Sequence, residues 1–134
     1  MLNKLIERLR GSLSTLLYFI NTLFWFVPVL LLGLIKLLLH FKGARRLCNT
    51  LLDGCATNWI GFNNLIQKTI INTPFDVVGV DKGRRNEWYM VIANHQSWVD
   101  ILVLQRIFNQ KIPFLKFFLK KELIWVPFLG LAWW

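Results

Sequence analysis

An unbroken apolar segment dominates the first third of the chain. Gly11–Ile35 contains 25 consecutive residues without a charged side chain, and Lys36 is followed by three more leucines. A membrane-spanning helix needs about 20 apolar residues, whereas the apolar core of a signal peptide is shorter. Because proline removes a backbone donor from a helix, Pro28 predicts a kink. The pattern therefore predicts a retained membrane segment, either as one span or as a kinked hairpin within one leaflet.

The residues that follow change from helical to strand-like periodicity. Residues 44–71 repeat apolar positions at helical spacing, which predicts an amphipathic helix with a break near Gly61. Phe75–Val80 and Trp88–Ala93 are short apolar runs on either side of a charged turn, and they predict two strands. Val99–Phe108 is a longer apolar run that predicts a mostly buried helix.

The remaining elements complete a predicted order of strands and helices. Pro113–Leu119 predicts a further strand and Lys121–Trp125 a short helix. Alternating strands and helices are typical of the α/β fold class. We therefore expect a membrane anchor at residues 1–42, an amphipathic helical connection at 43–73, and the first half of an α/β domain at 74–134.

The amino-acid composition indicates contact with a membrane surface. Lys and Arg number 16 against 7 Asp and Glu, the net charge is +9, and 55% of the residues are hydrophobic, including 7 Trp. So apolar a chain is not disordered, and Trp and basic residues both favour the interface of an anionic bilayer. A nucleic-acid partner is not expected, because the basic residues do not cluster with aromatic ones in a recognisable binding module.

The two cysteines do not indicate a disulfide or a metal site. Cys48 and Cys55 are seven residues apart, which is about 10 Å along a helix and too far for a disulfide. The chain also lacks a C-x-x-C or Cys/His spacing typical of metal ligands. We therefore expect two buried, reduced thiols and no metal.

The strongest candidate for chemistry is the stretch Asn94-His-Gln-Ser-Trp-Val-Asp100, which lies between a predicted strand and a predicted helix. Neutral imidazole is the side chain best suited to take a proton from a hydroxyl near neutral pH. A carboxylate on its other ring nitrogen fixes the tautomer, and a turn at the helix start can bring His95 and Asp100 together. Ser97 is a plausible helix cap. The alternative is a hydrogen-bonded loop histidine with no catalytic role.

These residues resemble a known family. Val91–Asp100 resembles the first motif of the glycerophospholipid acyltransferases, whose best-known members are the PlsC-like 1-acylglycerol-3-phosphate acyltransferases. Phe118–Gly130 is similar to the segment that precedes the second motif of that family. The details look closest to the bacterial inner-membrane branch related to YihG.

The resemblance implies roles for individual residues. His95 is then the general base and Asp100 its orienting partner, and a fatty acyl group passes from acyl-CoA or acyl-carrier protein to the hydroxyl of a lysophospholipid. No cofactor is implied. Three lysines are further candidates, either as substrate contacts or as a plain charged face: Lys116, Lys120 and Lys121. Three more residues are expected to support the motifs: Asn94, Ser97 and Gly130.

The resemblance also implies a place in the cell and a missing part. The expected location is the bacterial inner membrane, with the site on the cytoplasmic side. The family's F-x-x-R and E-G-T-R motifs, which bind the phosphate of the acceptor, do not occur in these 134 residues. We therefore expect an N-terminal fragment that is inactive by itself. The alternative is a non-catalytic, membrane-anchored interaction protein.

Overall fold

The computed structural model describes residues 2–72, 74–94 and 96–118, and this part of the chain is largely helical. Its elements in chain order are the helices α1 (Leu2–Leu38) and α2 (Lys42–Ile66), a π-helical turn (Gln67–Ile71), a 3-10 turn (Val80–Lys82) and the helix α3 (Val99–Phe108).

Helices α1 and α2 form an antiparallel hairpin. The α1 residues that face α2 are at least half-buried and recur every three or four positions: Ser14, Tyr18, Asn21, Trp25, Val29 and Leu32. On α2, Ala44, Cys48 and Ile60 are buried. The helix α1 continues through Pro28 to Leu38, so the charge-free segment is a single helix and does not itself fold into the kinked hairpin that the sequence allowed. The hairpin therefore uses one narrow stripe of α1 and leaves the remainder of its apolar surface exposed.

Polar contacts fix the register of this hairpin. The Asn21 side-chain amide donates to the Trp59 carbonyl at 3.0 Å and to Asn63 Oδ1 at 2.9 Å. The Trp59 ring N–H in turn donates to Thr22 Oγ1 at 3.2 Å. Because Asn63 is only 2% exposed, its amide depends on this pairing. One helix cannot slide along the other without leaving a buried polar group unpaired.

The amphipathic helix predicted at residues 44–71 is confirmed, but the predicted break near Gly61 is wrong. Gly61 lies inside α2, and the backbone hydrogen bonds change from the α-helical to the π-helical pattern only at Gln67. A glycine costs a helix about 1 kcal/mol. The contact of the neighbouring Asn63 with Asn21 of α1 and the burial of Ile60 offset this cost. The turn ends at Asn72, whose left-handed backbone (φ 50°) places its N–H 2.8 Å from the Gln67 carbonyl.

Helix α3 spans the residues that the sequence predicted and packs on α2 through its C-terminal half. Gln105 is 4% exposed, and the Asn109 side chain, just after α3, donates to the Thr57 carbonyl at 3.5 Å. The loop that follows buries Ile112 beside Gly83. A Cβ atom at position 83 would lie 2.8 Å from Ile112 Cγ2, so this close approach requires glycine.

The predicted α/β fold is contradicted, because none of the described residues lies in a strand. Phe75–Val80 and Trp88–Ala93 do not pair, and 113–118, most of the third predicted strand, is irregular too. A strand needs a partner for its backbone groups. Here the turn between the first two runs packs on Ile112 instead of folding one run against the other, and Trp88 is left 93% exposed.

One predicted helix lies beyond the described residues, and the prediction of free thiols can be compared with the structure. Leu119 and the short helix predicted at Lys121–Trp125 lie outside the described residues. The cysteines are both free thiols, as predicted, with Cys48 buried and Cys55 half-buried.

Candidate active site

The motif turn is built around the carboxylate of Asp100. Asp100 Oδ2 accepts the backbone N–H of Gln96 at 2.6 Å and that of Ser97 at 2.8 Å. The Asp100 N–H donates to the Ser97 carbonyl at 3.1 Å, and the Val99 N–H donates to Ser97 Oγ at 3.2 Å. Four hydrogen bonds thus close residues 96–100 into a compact turn.

The local sequence explains this geometry. Trp98, just before Val99, already has a helical backbone (φ −58°, ψ −23°), so the residue that can cap the first turn is Ser97. Ser97 Oγ accepts the Val99 N–H, and the Asp100 carboxylate accepts the Ser97 N–H in return, which is the reciprocal pattern of a capping box. Ser97 therefore caps the start of the helix. Asp100 lies in the first turn, where the helix dipole favours a negative charge. Its carboxylate reaches back to amides that would otherwise lack a partner.

The structure brings together only part of the predicted site. Asp100 and Ser97 share the turn, while Asn94 and Lys116 are exposed. His95, Lys120, Lys121 and Gly130 lie outside the described residues. What the structure establishes is that the carboxylate of the H-x-x-x-x-D pair is directed at the peptide N–H that follows position 95 in the chain.

A small cleft lies away from this turn. It occupies about 90 Å³ between α2, the end of α3 and the following loop, and Asp53, Thr57, Arg85, Gln105 and Pro113 are among its lining residues. Sites for small organic ligands usually measure about 300–1,000 Å³. The cleft is therefore too small for a lipid or an acyl thioester. Among the predicted site residues that the structure describes, Asn94, Ser97, Asp100 and Lys116 do not line it.

Exposed apolar side chains occur in the motif turn and in the segment that precedes it in the chain. Trp98 and Val99, inside the motif, are 66% and 60% exposed, and Met90 and Ile92 in the preceding segment are each 83% exposed. Large contiguous apolar surface is uncommon on a soluble monomer and indicates contact with a membrane, a ligand or another protein. The motif sequence contains these residues, but exposure is visible only in the folded chain.

The structure also reveals a polar contact that the sequence did not predict. Arg106, on the C-terminal half of α3, lies with its guanidinium carbon 4.2 Å from the centre of the Phe75 ring. Its Nη1 atom donates to Gln67 Oε1 at 3.5 Å. Arg106 is more than 30 positions from both partners and the contact follows no sequence motif, so only the fold identifies the cluster.

Two further findings concern membranes and metals. Among the described helices, α1 is long and apolar enough to cross a bilayer: its most apolar window has a mean hydropathy of 2.0, and none of that window is buried. This is compatible with membrane association and equally with a signal sequence. Within the described ranges there is no group of three or more His, Cys, Asp or Glu side chains that could hold a metal ion.

Comparison with known protein families gives a match over the C-terminal part of the chain. Residues 74–134, which contain the motif turn and α3, match the Acyltransferase family model. No curated protein and no solved structure matches the chain. The match supports the acyltransferase family for this region and, with it, acyl transfer as the general chemistry.

Proposed function

We propose that this protein is a membrane-bound acyltransferase that moves a fatty acyl group from acyl-CoA or acyl-carrier protein to the hydroxyl of a lysophospholipid such as 1-acylglycerol-3-phosphate. The observation that carries the proposal is the coincidence of two features in one turn. The family match covers the H-x-x-x-x-D pair, and the Asp100 carboxylate folds back on the backbone N–H that follows His95 in the sequence. We place the reaction at the cytoplasmic face of a bacterial inner membrane.

The proposed reaction needs one base and no cofactor. The imidazole of His95 takes the proton of the acceptor hydroxyl while the oxygen attacks the thioester carbonyl carbon. The carbon–sulfur bond then breaks, and the departing thiolate recovers the proton from the imidazolium. The products are a new oxygen ester and a free thiol. Asp100 acts as the positioning carboxylate, which fixes the tautomer and stabilises the imidazolium.

The packing of the hairpin supports an arrangement at the membrane surface rather than a single span. Helix α1 is about 55 Å long at 1.5 Å per residue, longer than the roughly 30 Å core of a bilayer. Asn21 contacts Trp59 and Asn63, so the antiparallel register places Asp53 of α2 level with about Val29, within the charge-free segment. Asp53 is exposed.

A span by α1 would therefore pull a charged residue of α2 toward the centre of the bilayer. A carboxylate there costs about 2.5–3.5 kcal/mol on insertion scales, and more in other treatments. The hairpin of α1 and α2 avoids this cost if it lies in one leaflet. The apolar face of α1 then enters the acyl chains, while Asp53 and Lys68 of the second arm stay near water. Trp98 and Val99 within the motif turn are also exposed, and such apolar side chains suit a position at a membrane surface.

Acyl transfer in membranes tests the proposal. Membranes that contain the full-length protein are supplied with labelled acyl-CoA or acyl-carrier protein and a panel of lysophospholipids. We expect a labelled diacyl phospholipid and a rate that falls about 10²–10⁴-fold in His95→Ala. The matched control is His40→Ala, because His40 is the other histidine of the chain and lies at the end of α1.

The two outcomes separate enzyme from interaction protein. Activity that His95→Ala abolishes and His40→Ala retains supports the enzyme. Rates in His95→Ala close to those of the parent, or no transfer with either donor and every acceptor, contradict it and favour the non-catalytic membrane-anchored protein.

A further inference from the structure

Arg106 joins three parts of the molecule at one point. Its guanidinium carbon lies 4.2 Å from the centre of the Phe75 ring, and its Nη1 atom donates to Gln67 Oε1 at 3.5 Å. Gln67 begins the π-helical turn that ends the hairpin, and Phe75 lies near the start of the irregular segment that leads to the motif. Arg106 thus connects the hairpin, this segment and α3.

The charge of Arg106 depends on these two neighbours. Arg106 is half-buried, and among the described residues no carboxylate lies within ion-pair distance of it. Buried or half-buried charges are normally paired with an opposite charge. Here an aromatic face and an amide oxygen stabilise the cation instead. Gln67 is only 5% exposed, so water has little access to replace its amide oxygen as the acceptor for Arg106.

The contact lies at the attached end of α3. Gln105 beside it is 4% exposed, whereas Trp98 and Val99 at the other end are 66% and 60% exposed. Arg106 is six residues from Asp100, which is about 9 Å along a helix. Helix α3 is therefore held by its C-terminal half, and the motif turn at 96–100 lies at the opposite, more exposed end. A small change of docking angle at Arg106 is amplified at Asp100.

We propose that Arg106 is a positioning residue that sets the height of the motif turn above the membrane-associated hairpin. The proposal rests on the proposed function. A lysophospholipid embedded in the bilayer has its hydroxyl at a fixed depth, so a turn at the wrong height cannot reach it. A short-chain lysophospholipid dissolved in water approaches the turn wherever it lies. Arg106 therefore supports transfer to embedded acceptors and is dispensable for dissolved ones.

The first measurement detects docking without any catalysis. In a background with Cys48→Ala and Cys55→Ala, cysteines replace Asp53 of α2 and Gln110, which follows α3. Both positions line the same small cleft, so a short bis-maleimide can connect them. We expect efficient cross-linking in this parent and a clear loss of cross-linking when Arg106→Gln is added. Unchanged cross-linking overturns the proposal.

The second measurement compares two acceptors in the protein with its native cysteines. Arg106→Gln should lower the rate with a long-chain lysophospholipid in vesicles about 10-fold or more, since misplacement by about 1 Å can cost 100-fold. The rate with a short-chain analogue below its micellar concentration should stay within about twofold of the parent, because that acceptor is free to adjust. Equal losses with both acceptors, or none with either, overturn the proposal.

Two further variants sharpen these measurements. Arg106→Lys keeps a cation over the ring and should restore cross-linking and most of the vesicle rate. Arg84→Gln removes a guanidinium from an exposed pair with Glu87 and should change neither measurement. A parent that transfers acyl groups to neither acceptor contradicts the proposed function, while the cross-linking still decides whether Arg106 docks α3.

Discussion

The Asp100 carboxylate reaches back four residues and accepts the Gln96 backbone N–H at 2.6 Å. A carboxylate in a proposed catalytic pair therefore also holds the turn that carries the pair. This double use means that loss of the side chain changes two things at once, the local charge and the shape of the turn. Substitutions that separate the two are the informative ones.

Asp100→Asn should lower the acyl-transfer rate about 10²–10⁴-fold, comparable to His95→Ala. The amide oxygen can still accept the Gln96 and Ser97 N–H groups, but the charge that favours the imidazolium is gone. The two losses should be far from additive in the double variant, because both residues act through one imidazole. Initial rates at matched expression measure this, with Asp76→Asn as an exposed control. Additive losses contradict a shared role.

Asn21→Leu should destabilise the hairpin by about 1–3 kcal/mol, because buried Asn63 loses its partner. Asn21→Leu combined with Asn63→Leu should recover much of that loss, since replacing both partners by apolar groups removes the unpaired atom. Thermal unfolding in detergent, followed by circular dichroism, measures the effect. Asn58→Leu serves as control, because Asn58 is exposed and bonds only within α2. A double variant no better than the single one argues against the pairing.

Gly83→Ala should destabilise the protein by about 1–3 kcal/mol through overpacking. The added Cβ would lie 2.8 Å from Ile112 Cγ2 and 3.3 Å from the Lys111 carbonyl oxygen, so the loop must shift. Gly54→Ala is the matched control: nothing lies within 4 Å of its added Cβ, and alanine should stabilise α2 by about 0.5–1 kcal/mol. Denaturant unfolding of the two variants should give shifts of opposite sign, and equal shifts count against the close approach.

The pKa of Tyr89 is raised above its ordinary value of 10.0, chiefly because its hydroxyl donates to Glu87 at 2.7 Å. Ionisation would place two negative charges together. The contribution of this contact to stability is therefore fully present below pH 10 and is lost as the pH rises through the raised value. Ultraviolet absorbance titration should locate the transition, with Tyr89→Phe identifying its signal. Glu87→Gln should lower the pKa, and an unchanged titration would show that Glu87 is not the cause.

The hairpin should place both ends of α1 on the same side of the membrane. In a variant without Cys48 and Cys55, single cysteines at Asn3 and His40 should react with an impermeant maleimide from the same face. A single span by α1 would put them on opposite faces. The protein should also resist extraction by carbonate and require detergent, because the α1 surface is apolar. Recovery in the soluble fraction or labelling from opposite faces contradicts this arrangement.

The sequence by itself determined the elements whose cause is local. The charge-free run of Gly11–Ile35 predicts a long helix from its own composition, and the structure places it within α1. The bounds predicted for α3 coincide with Val99–Phe108, because an apolar run after a polar turn defines a helix start without help from distant residues. The candidate pair of His95 and Asp100 is likewise a prediction from local sequence, since the six residues 95–100 just before and at a helix start carry it.

Tertiary structure decided what depends on partners distant in the chain. Whether Trp88–Ala93 becomes a strand depends on another segment that supplies hydrogen bonds, and none of the described residues does so. The contact of Arg106 with Gln67 and Phe75 joins residues more than 30 positions apart, and no periodicity encodes it. Packing geometry fixes such contacts because short-range forces act only once the fold has brought the atoms together.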